Sequence, residues 1–293
     1  MAKPRELRRR IRSVENTRKI TRTMEMVATS KLKRAQDRVS AARPYADALA
    51  EVLSDLYAPD LADRFPLLRQ PRGTPTRVAL VLITSNRGLC GAFNANLIRQ
   101  ARWRIADLEA EGTAVDLHVI GRKGATYFRF AGQAIASQRI DIGDRPTAAH
   151  PAEVIAPLAA QFAAGTVAAV EVVYARFNSS VSTPPTTLQV LPITPPAPEG
   201  AGRGRPRADY ILKPSAETIL ERLLPLYVEN QVYRALVETA AAEHGARRTA
   251  MKNATDSAGE MLDVLRRTLN RARQAQITQE ISEIVGGAEA LQG

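Results

Sequence analysis

Toward the C-terminal end of the chain, apolar side chains recur at intervals of three and four: Met251, Ala254, Ala258, Met261, Leu265, Leu269 and Ala272. That spacing keeps one seam of a helix facing a partner helix. The pattern slips and restarts as Ile277, Ile281, Ile284, Ala288 and Leu291. No proline follows Pro225, so the spacing predicts one helix from Leu226 to Val285, roughly 90 Å long at 1.5 Å per residue. A globular domain of this size is about 40 Å across. Such a helix is expected to protrude and to need a second helix over its seam.

The N-terminal segment is the natural partner. Leu7, Ile11 and Val14 begin a seam, Ile20, Met24 and Val27 resume it past Asn16-Thr17-Arg18, and from Ala28 it is expected to shift by one residue. It then runs through Leu32, Ala35, Val39, Ala42, Ala46, Leu49, Leu53 and Leu56 in four-three alternation. Pro44 removes one backbone donor and predicts a kink rather than a stop. The first helix is therefore expected over residues 4–57. Because the heptads start so early, the basic, acid-poor N-terminus reads as mature protein and not as a transit peptide.

Between these helices the period changes. Val78 to Ile83 and Val115 to Ile120 are short, continuous apolar runs that suit buried parallel strands. Helical stretches are expected near 95–108 and 151–164, and further strands over Val167–Tyr174 and Leu188–Leu191. Gly121 opens another segment. Strands alternating with helices predict a small βαβ domain with a mostly parallel sheet. Residues 195–207, PPAPEGAGRGRPR, cannot build a core. Ser215 is placed to cap the last helix.

Composition and charge narrow the chemistry. The chain has 293 residues, only 5% of them aromatic, and a formal net charge of +11. The core must be aliphatic, and the charge implies an acidic partner. Basic residues collar the first helix (Arg8 to Arg12, Arg18, Arg22, Lys31) and the last one (Arg247, Arg266, Arg271, Arg273). No apolar run is long enough to span a membrane. One cysteine and three scattered histidines leave no disulfide and no metal-ligand spacing. The sharpest local motif, ITSNRGLCGAFN at residues 83–94, leaves a strand and enters a helix. It lacks both G-x-G-x-x-G and G-x-x-x-x-G-K-[ST], so Gly88 and Gly91 read as a tight turn with close helix–sheet packing, and Cys90 as a small buried thiol. No catalytic residue, cofactor site or metal site is expected. Two readings compete at this level: a basic coiled-coil protein that binds nucleic acid, and a nucleotide-binding α/β enzyme with a helical arm.

Three blocks, in order, resemble the gamma subunit of F-type ATP synthases. They are IRSVENTRKITRTMEMVATSKLKRAQ (11–36), SNRGLCGAFN (85–94) and AEHGARRTAMKNATDSAGEMLDVLRRTLNRARQAQITQEISEIVGGAEAL (242–291); LLPLYVENQVYRALVE (223–238) extends the match. The resemblance implies an α/β fold class: a long antiparallel coiled coil of terminal helices, 1–57 and 215–293, with a Rossmann-like α/β domain at 75–194 and a flexible loop at 195–214. It implies a rotor shaft without an active site of its own, set in the axial cavity of alpha and beta subunits. Its base would stand on the c-ring beside an epsilon subunit, peripheral to the cytoplasmic side of a bacterial inner membrane.

The same resemblance assigns roles by position. Arg22, Met24 and Lys31 match the zone that meets the acidic lever of a beta subunit. Arg273, Gln274, Thr278 and Glu280 match a polar collar that bonds a beta-subunit loop. Ile281, Ile284, Val285, Ala288 and Leu291 would form the apolar tip in a hydrophobic sleeve, and Tyr210 and Lys213 would lie on the c-ring side. The chain departs from the family pattern at Asn86, where aspartate is usual, at Lys213, where bacterial relatives usually carry glutamate, and at Arg248 and Leu269, where methionine and tyrosine are usual. The regulatory cysteine insert of chloroplast versions is missing.

Overall fold

The computed structural model describes residues 4–56, 64–70, 76–179, 182–194 and 215–292. The chain divides into two compact units. One comprises residues 29–246, the other residues 1–28 together with 247–293. Two helices pass from one unit to the other without a break: α1, Pro4–Leu56, and α5, Ala216–Gln292. Pro44 and Pro225 lie inside these helices; α5 starts directly after the expected cap and runs on without a break through the proline-free stretch from Leu226. Ser215 caps it as expected, its Oγ accepting the Thr218 N–H at 3.2 Å.

In the unit of residues 29–246, five strands stand in the order β3-β2-β1-β4-β5. They are β1 (Arg77–Ile83), β2 (Ala114–Ile120), β3 (Ser137–Arg139), β4 (Ala169–Ala175) and β5 (Pro185–Leu191). The first four run parallel, with Val78 beside Val115 and Ile83 beside Ile120, and β5 closes the edge antiparallel to β4. Helices α2 (Phe93–Ala110), α3 (Arg122–Phe130) and α4 (Ala149–Ala163) make the crossovers and the cover. β1 is buried from Val78 to Ile83 because both its faces are packed. Ala79, Val81 and Ile83 face Leu49 and Leu53 of α1, Ile155 of α4 and Leu220 to Leu236 of α5. Leu80 and Leu82 face α2, α3, the Leu32–Val39 stretch of α1 and Val237 to Ala242 of α5.

The sequence reading passed over α3 and β3, because nine and three residues are too short for a period to show. It also placed the close packing at the wrong glycine. A Cβ on Gly88 would meet nothing nearer than 3.6 Å, whereas one on Gly121 (φ 98°) would lie 2.1 Å from the Thr84 carbonyl oxygen. The glycines that let α3 approach the end of β1 are thus Gly121 and Gly124, whose own Cβ would lie 2.9 Å from Thr84 Oγ1. Gly91, at φ 58°, does serve a tight turn.

In the unit of residues 1–28 and 247–293, α1 and α5 pair antiparallel. Glu15 meets Arg266 at 2.8 Å, Arg18 lies over Gly259, and Thr21 meets Thr255 at 2.8 Å. The expected one-residue shift of the seam does not occur. Ile20 is 60% and Val27 52% exposed, while Thr21 is buried, which keeps Leu7, Val14, Thr21 and Ala28 in unbroken sevens. On α5 the seam runs Met251, Thr255, Ala258, Leu262 rather than through Ala254 and Met261. Hydroxyls hid it. Each threonine also bonds its own helix: Thr21 Oγ1 donates to the Arg18 carbonyl at 3.1 Å, and the single Thr255 hydroxyl proton is shared between Thr21 Oγ1 and the Met251 carbonyl, each at 2.8 Å. A threonine can therefore sit in the seam without an unsatisfied group.

Thr255→Val is expected to cost about 1 kcal/mol by leaving Thr21 with one partner fewer, and the double variant Thr21→Val/Thr255→Val to recover most of that loss. Thermal unfolding of the full chain and of the three variants checks it. Strict additivity of the two single losses would show that the pair carries no coupling.

Candidate functional site

From Arg273 to Gly287 every residue of α5 is exposed. Tertiary packing does not hold this stretch, so local pairs carry its helix: Gln276 Nε2 donates to Glu280 Oε1, and Gln279 Nε2 to Glu283 Oε1, both at 2.9 Å and both at i,i+4 spacing. Ile277, Ile281, Ile284 and Val285 are 48%, 56%, 72% and 52% exposed. At 100° per residue they form one stripe. Thr278 then flanks the stripe on one side and Arg273 and Glu280 on the other, while Gln274 lies in line with it, one turn before Ile277. Polar groups thus border an apolar face that nothing in this chain's described residues covers. Ala288 and Leu291 continue the helix, but their side chains lie outside the described set, as do Tyr210, Lys213 and the stretch 195–214.

Of the N-terminal trio, Arg22 is exposed and Met24 half-buried on α1, beside the exposed Ile20 and Val27. Lys31 is engaged inside the other unit. Its ammonium lies 2.7 Å from Asp144 Oδ2, and His244 Nε2 of α5 lies 3.3 Å from the same oxygen. Arg38 Nη1 donates to the Asp144 carbonyl at 3.2 Å. Burial alone would push the Asp144 carboxyl up, but the Lys31 bond and the charges of Lys31, His244 and Arg145 hold it below the ordinary value. Asp144 thereby ties α1, α5 and the segment between β3 and α4 to one carboxylate. Sequence reasoning missed it because its partners lie about a hundred residues away on either side.

The glycine-rich turn satisfies its own polar groups. The Ser85 N–H donates to Asn94 Oδ1 at 3.0 Å, Ser85 Oγ donates to the Arg87 carbonyl at 2.6 Å, and Asn94 Nδ2 lies 3.2 Å from Cys90 Sγ. Cys90 is buried, as expected. Asn86 donates to the Ile140 carbonyl at 2.9 Å and accepts the Arg122 N–H at 2.9 Å. An aspartate there would set a carboxylate against that carbonyl, so the asparagine fits its site. Among the described residues, no three His, Cys, Asp or Glu side chains gather as a metal site, and no helix is long and apolar enough to cross a membrane.

A family model described as ATP synthase matches residues 3–291. The ATP synthase gamma chain of Gemmatimonas aurantiaca is 66% identical over 293 residues, covering 100% of both chains. That of Leptospira biflexa is 43% identical over 291 residues, 99% of this chain and 100% of the relative. Among solved structures, a chain of the Euglena gracilis mitochondrial ATP synthase OSCP/F1/c-ring assembly superposes with TM-score 0.67 at 20% identity, covering 98% of this chain and 94% of that chain. One from the central stalk/c-ring of the Tetrahymena thermophila enzyme gives 0.60 at 22%, covering 80% and 99%. At such identities these two likenesses establish the fold.

The Asp144 cluster sets a pH dependence. Its carboxyl titrates lower in the folded than in the unfolded chain, so its contribution is present above the unfolded value near 4 and is lost as pH falls through the folded one. Wild type is expected to exceed Asp144→Asn in stability at pH 7, with the difference shrinking below about pH 5. Urea unfolding of both chains at a series of pH values checks this. A difference independent of pH would exclude charge pairing as its cause.

Proposed function

The chain belongs to the ATP synthase gamma family, and we propose that it works as the central rotor shaft of an F-type ATP synthase, carrying no catalytic site itself. The observation that best supports this reading is the solvated end of α5. A helix bare on all sides from Arg273 to Gly287, with an isoleucine stripe between polar flanks, suits a cavity inside a ring of alpha and beta subunits. Apolar contacts are non-directional, so the Ile281, Ile284 and Val285 face can turn against a sleeve, continued by Ala288 and Leu291. Arg273, Gln274, Thr278 and Glu280 offer directional bonds to a beta-subunit loop. Arg22 and Met24 face an acidic beta-subunit segment, with Lys31 nearby in sequence but held by Asp144.

One asymmetric shaft cannot touch three beta subunits alike, so each is biased toward a different nucleotide affinity, and turning passes these states around the ring. Ion flow supplies the free energy, about 2.3 kcal/mol per charge per 100 mV. In this reading residues 1–57 and 215–293 are the shaft helices, and 75–194 is the α/β base. The segment 195–214, with Tyr210 and Lys213, lies toward the c-ring, and an epsilon subunit sits beside the base. The complex is membrane-associated, this chain peripheral on the cytoplasmic face of a bacterial inner membrane. The basic faces then serve acidic protein surfaces, and the nucleic-acid reading falls away.

Mixing the purified chain with alpha and beta subunits of its own organism tests the reading. The expected product contains one copy per three alpha–beta pairs and hydrolyses Mg-ATP, while the chain alone does not; absence of any complex would overturn the shaft assignment. Within that complex Gln274→Leu is expected to lower turnover about fivefold, the equivalent of one lost hydrogen bond of about 1 kcal/mol. Unchanged turnover would remove Gln274 from the collar.

A further inference from the structure

The β3 edge of the sheet is held by side chains as much as by backbone pairing. β3 has three residues, paired with β2 as His118 beside Ser137, Val119 beside Gln138 and Ile120 beside Arg139. Each β3 side chain is tied. Ser137 Oγ lies 2.7 Å from His118 Nδ1, Gln138 Oε1 accepts Arg129 Nη2 of α3 at 2.7 Å, and Arg139 holds Asp141 and also Glu153 of α4. The Arg139 hydrogen bond keeps the Asp141 carboxyl down at about 2, so that pair stays charged near neutrality. Among these groups His118 is the one whose ordinary titration falls between about pH 5 and 8.

The second ring nitrogen shows which form of the histidine fits. Its Nε2 is buried, and among the described residues it is the one buried side-chain nitrogen or oxygen without a hydrogen-bond partner. With Nδ1–H donating to Ser137, Nε2 carries a bare lone pair, and the neutral ring is accommodated. A second proton would create an enclosed N–H with no acceptor and a charge with no hydrogen-bonded counter-ion. His118 shares its face of β2 with Asp116 and Ile120, a face that α4 covers through Ile155. The charged groups there are engaged elsewhere: Asp116 with Arg77 of β1 at 3.0 Å, and Arg139 of β3 with Asp141 and Glu153. His150 of α4 accepts the Thr147 N–H through Nδ1 at 3.1 Å. Burial pushes the His118 ring below its ordinary value, and the Asp116 charge offsets that only in part.

We propose that His118 is an acid-sensitive latch: neutral, it fastens β3 to the sheet, and protonated, it leaves its site and frees the Ser137 end of the strand. Opening starts at that end because Arg139 keeps its ties to Asp141 and Glu153 at the other. The Ala136 N–H, which bonds the Leu117 carbonyl at 2.8 Å, is then the backbone bond released first. On an opened strand the imidazole titrates near its ordinary value of about 6.5, and on the closed edge it titrates lower. Closure is therefore fully favoured above about pH 6.5 and weakens as pH falls below it, by at most about tenfold per pH unit. The proposal is independent of the shaft reading.

Hydrogen exchange of the full chain, corrected for the intrinsic effect of pH, tests the latch. From about pH 7.5 to about 5.5, protection of the Ala136 N–H is expected to fall by up to about tenfold. The Thr84 N–H, which bonds the Ile120 carbonyl at 2.7 Å, should keep its protection. In His118→Gln, whose side chain does not titrate, Ala136 protection should not vary with pH. A further measurement needs no variant: followed by NMR in the wild-type chain, the His118 ring should titrate below its value in the urea-unfolded chain. Equal pH dependence at Ala136 in wild type and His118→Gln would overturn the proposal, as would a ring that titrates as in the unfolded chain. Parallel loss at Ala136 and Thr84 would overturn it too, because the whole sheet and not its edge would then be opening.

Discussion

A helix buried on every side has no face left from which a polar group can reach water, and residues 235–245 of α5 are in that position. Small side chains make it feasible: Ala235, Ala240, Ala241, Ala242 and Gly245 let α1 and the sheet approach closely. Yet the run also contains Glu238 and Thr239. A carboxylate in a core is tolerable only when its oxygens are taken. Glu238 accepts Arg234 Nε at 2.8 Å and the Phe177 N–H at 3.0 Å, and Thr239 Oγ1 accepts the Ala175 N–H at 3.3 Å. Side chains of α5 thus complete the backbone bonding where β4 ends.

This arrangement locks α5 against the sheet both in rotation and along its axis. Sliding by one residue would strand a buried charge and two backbone donors, at a cost of several kcal/mol. A helix meant to transmit torque needs such a fixture, because apolar packing alone resists displacement without specifying register. The Asp144 carboxylate adds a second tie, drawing Lys31 of α1 and His244 of α5 to the same oxygen. In the other unit the demand is reversed. There the seam is apolar except for Thr21 and Thr255, and beyond Ala272 the helix has no partner among the described residues. Register is specified where the chain must hold and left unspecified where the proposed bearing must turn.

The candidate site divides along the same line. Ile277, Ile281, Ile284 and Val285 were legible as a stripe because a helical period needs only local spacing. Lys31 was legible as a cation, but not as one already paired, since Asp144 lies more than a hundred residues away.

The sequence by itself determined the two long helices, the parallel strands and the family, because each depends on repeats or blocks that are contiguous in the chain. It also determined that Cys90 would be buried in a turn. Tertiary structure alone decided which residues occupy the coiled-coil seam. Hydrophobicity favoured Ile20 and Met261, but the partner's geometry selected Thr21 and Leu262, since a threonine that bonds its own backbone packs as a small apolar group. It also decided that Gly121 and Gly124, not Gly88, are the close-approach glycines, and which carboxylates are enclosed. Those outcomes depend on what arrives from distant segments, and no local pattern encodes that.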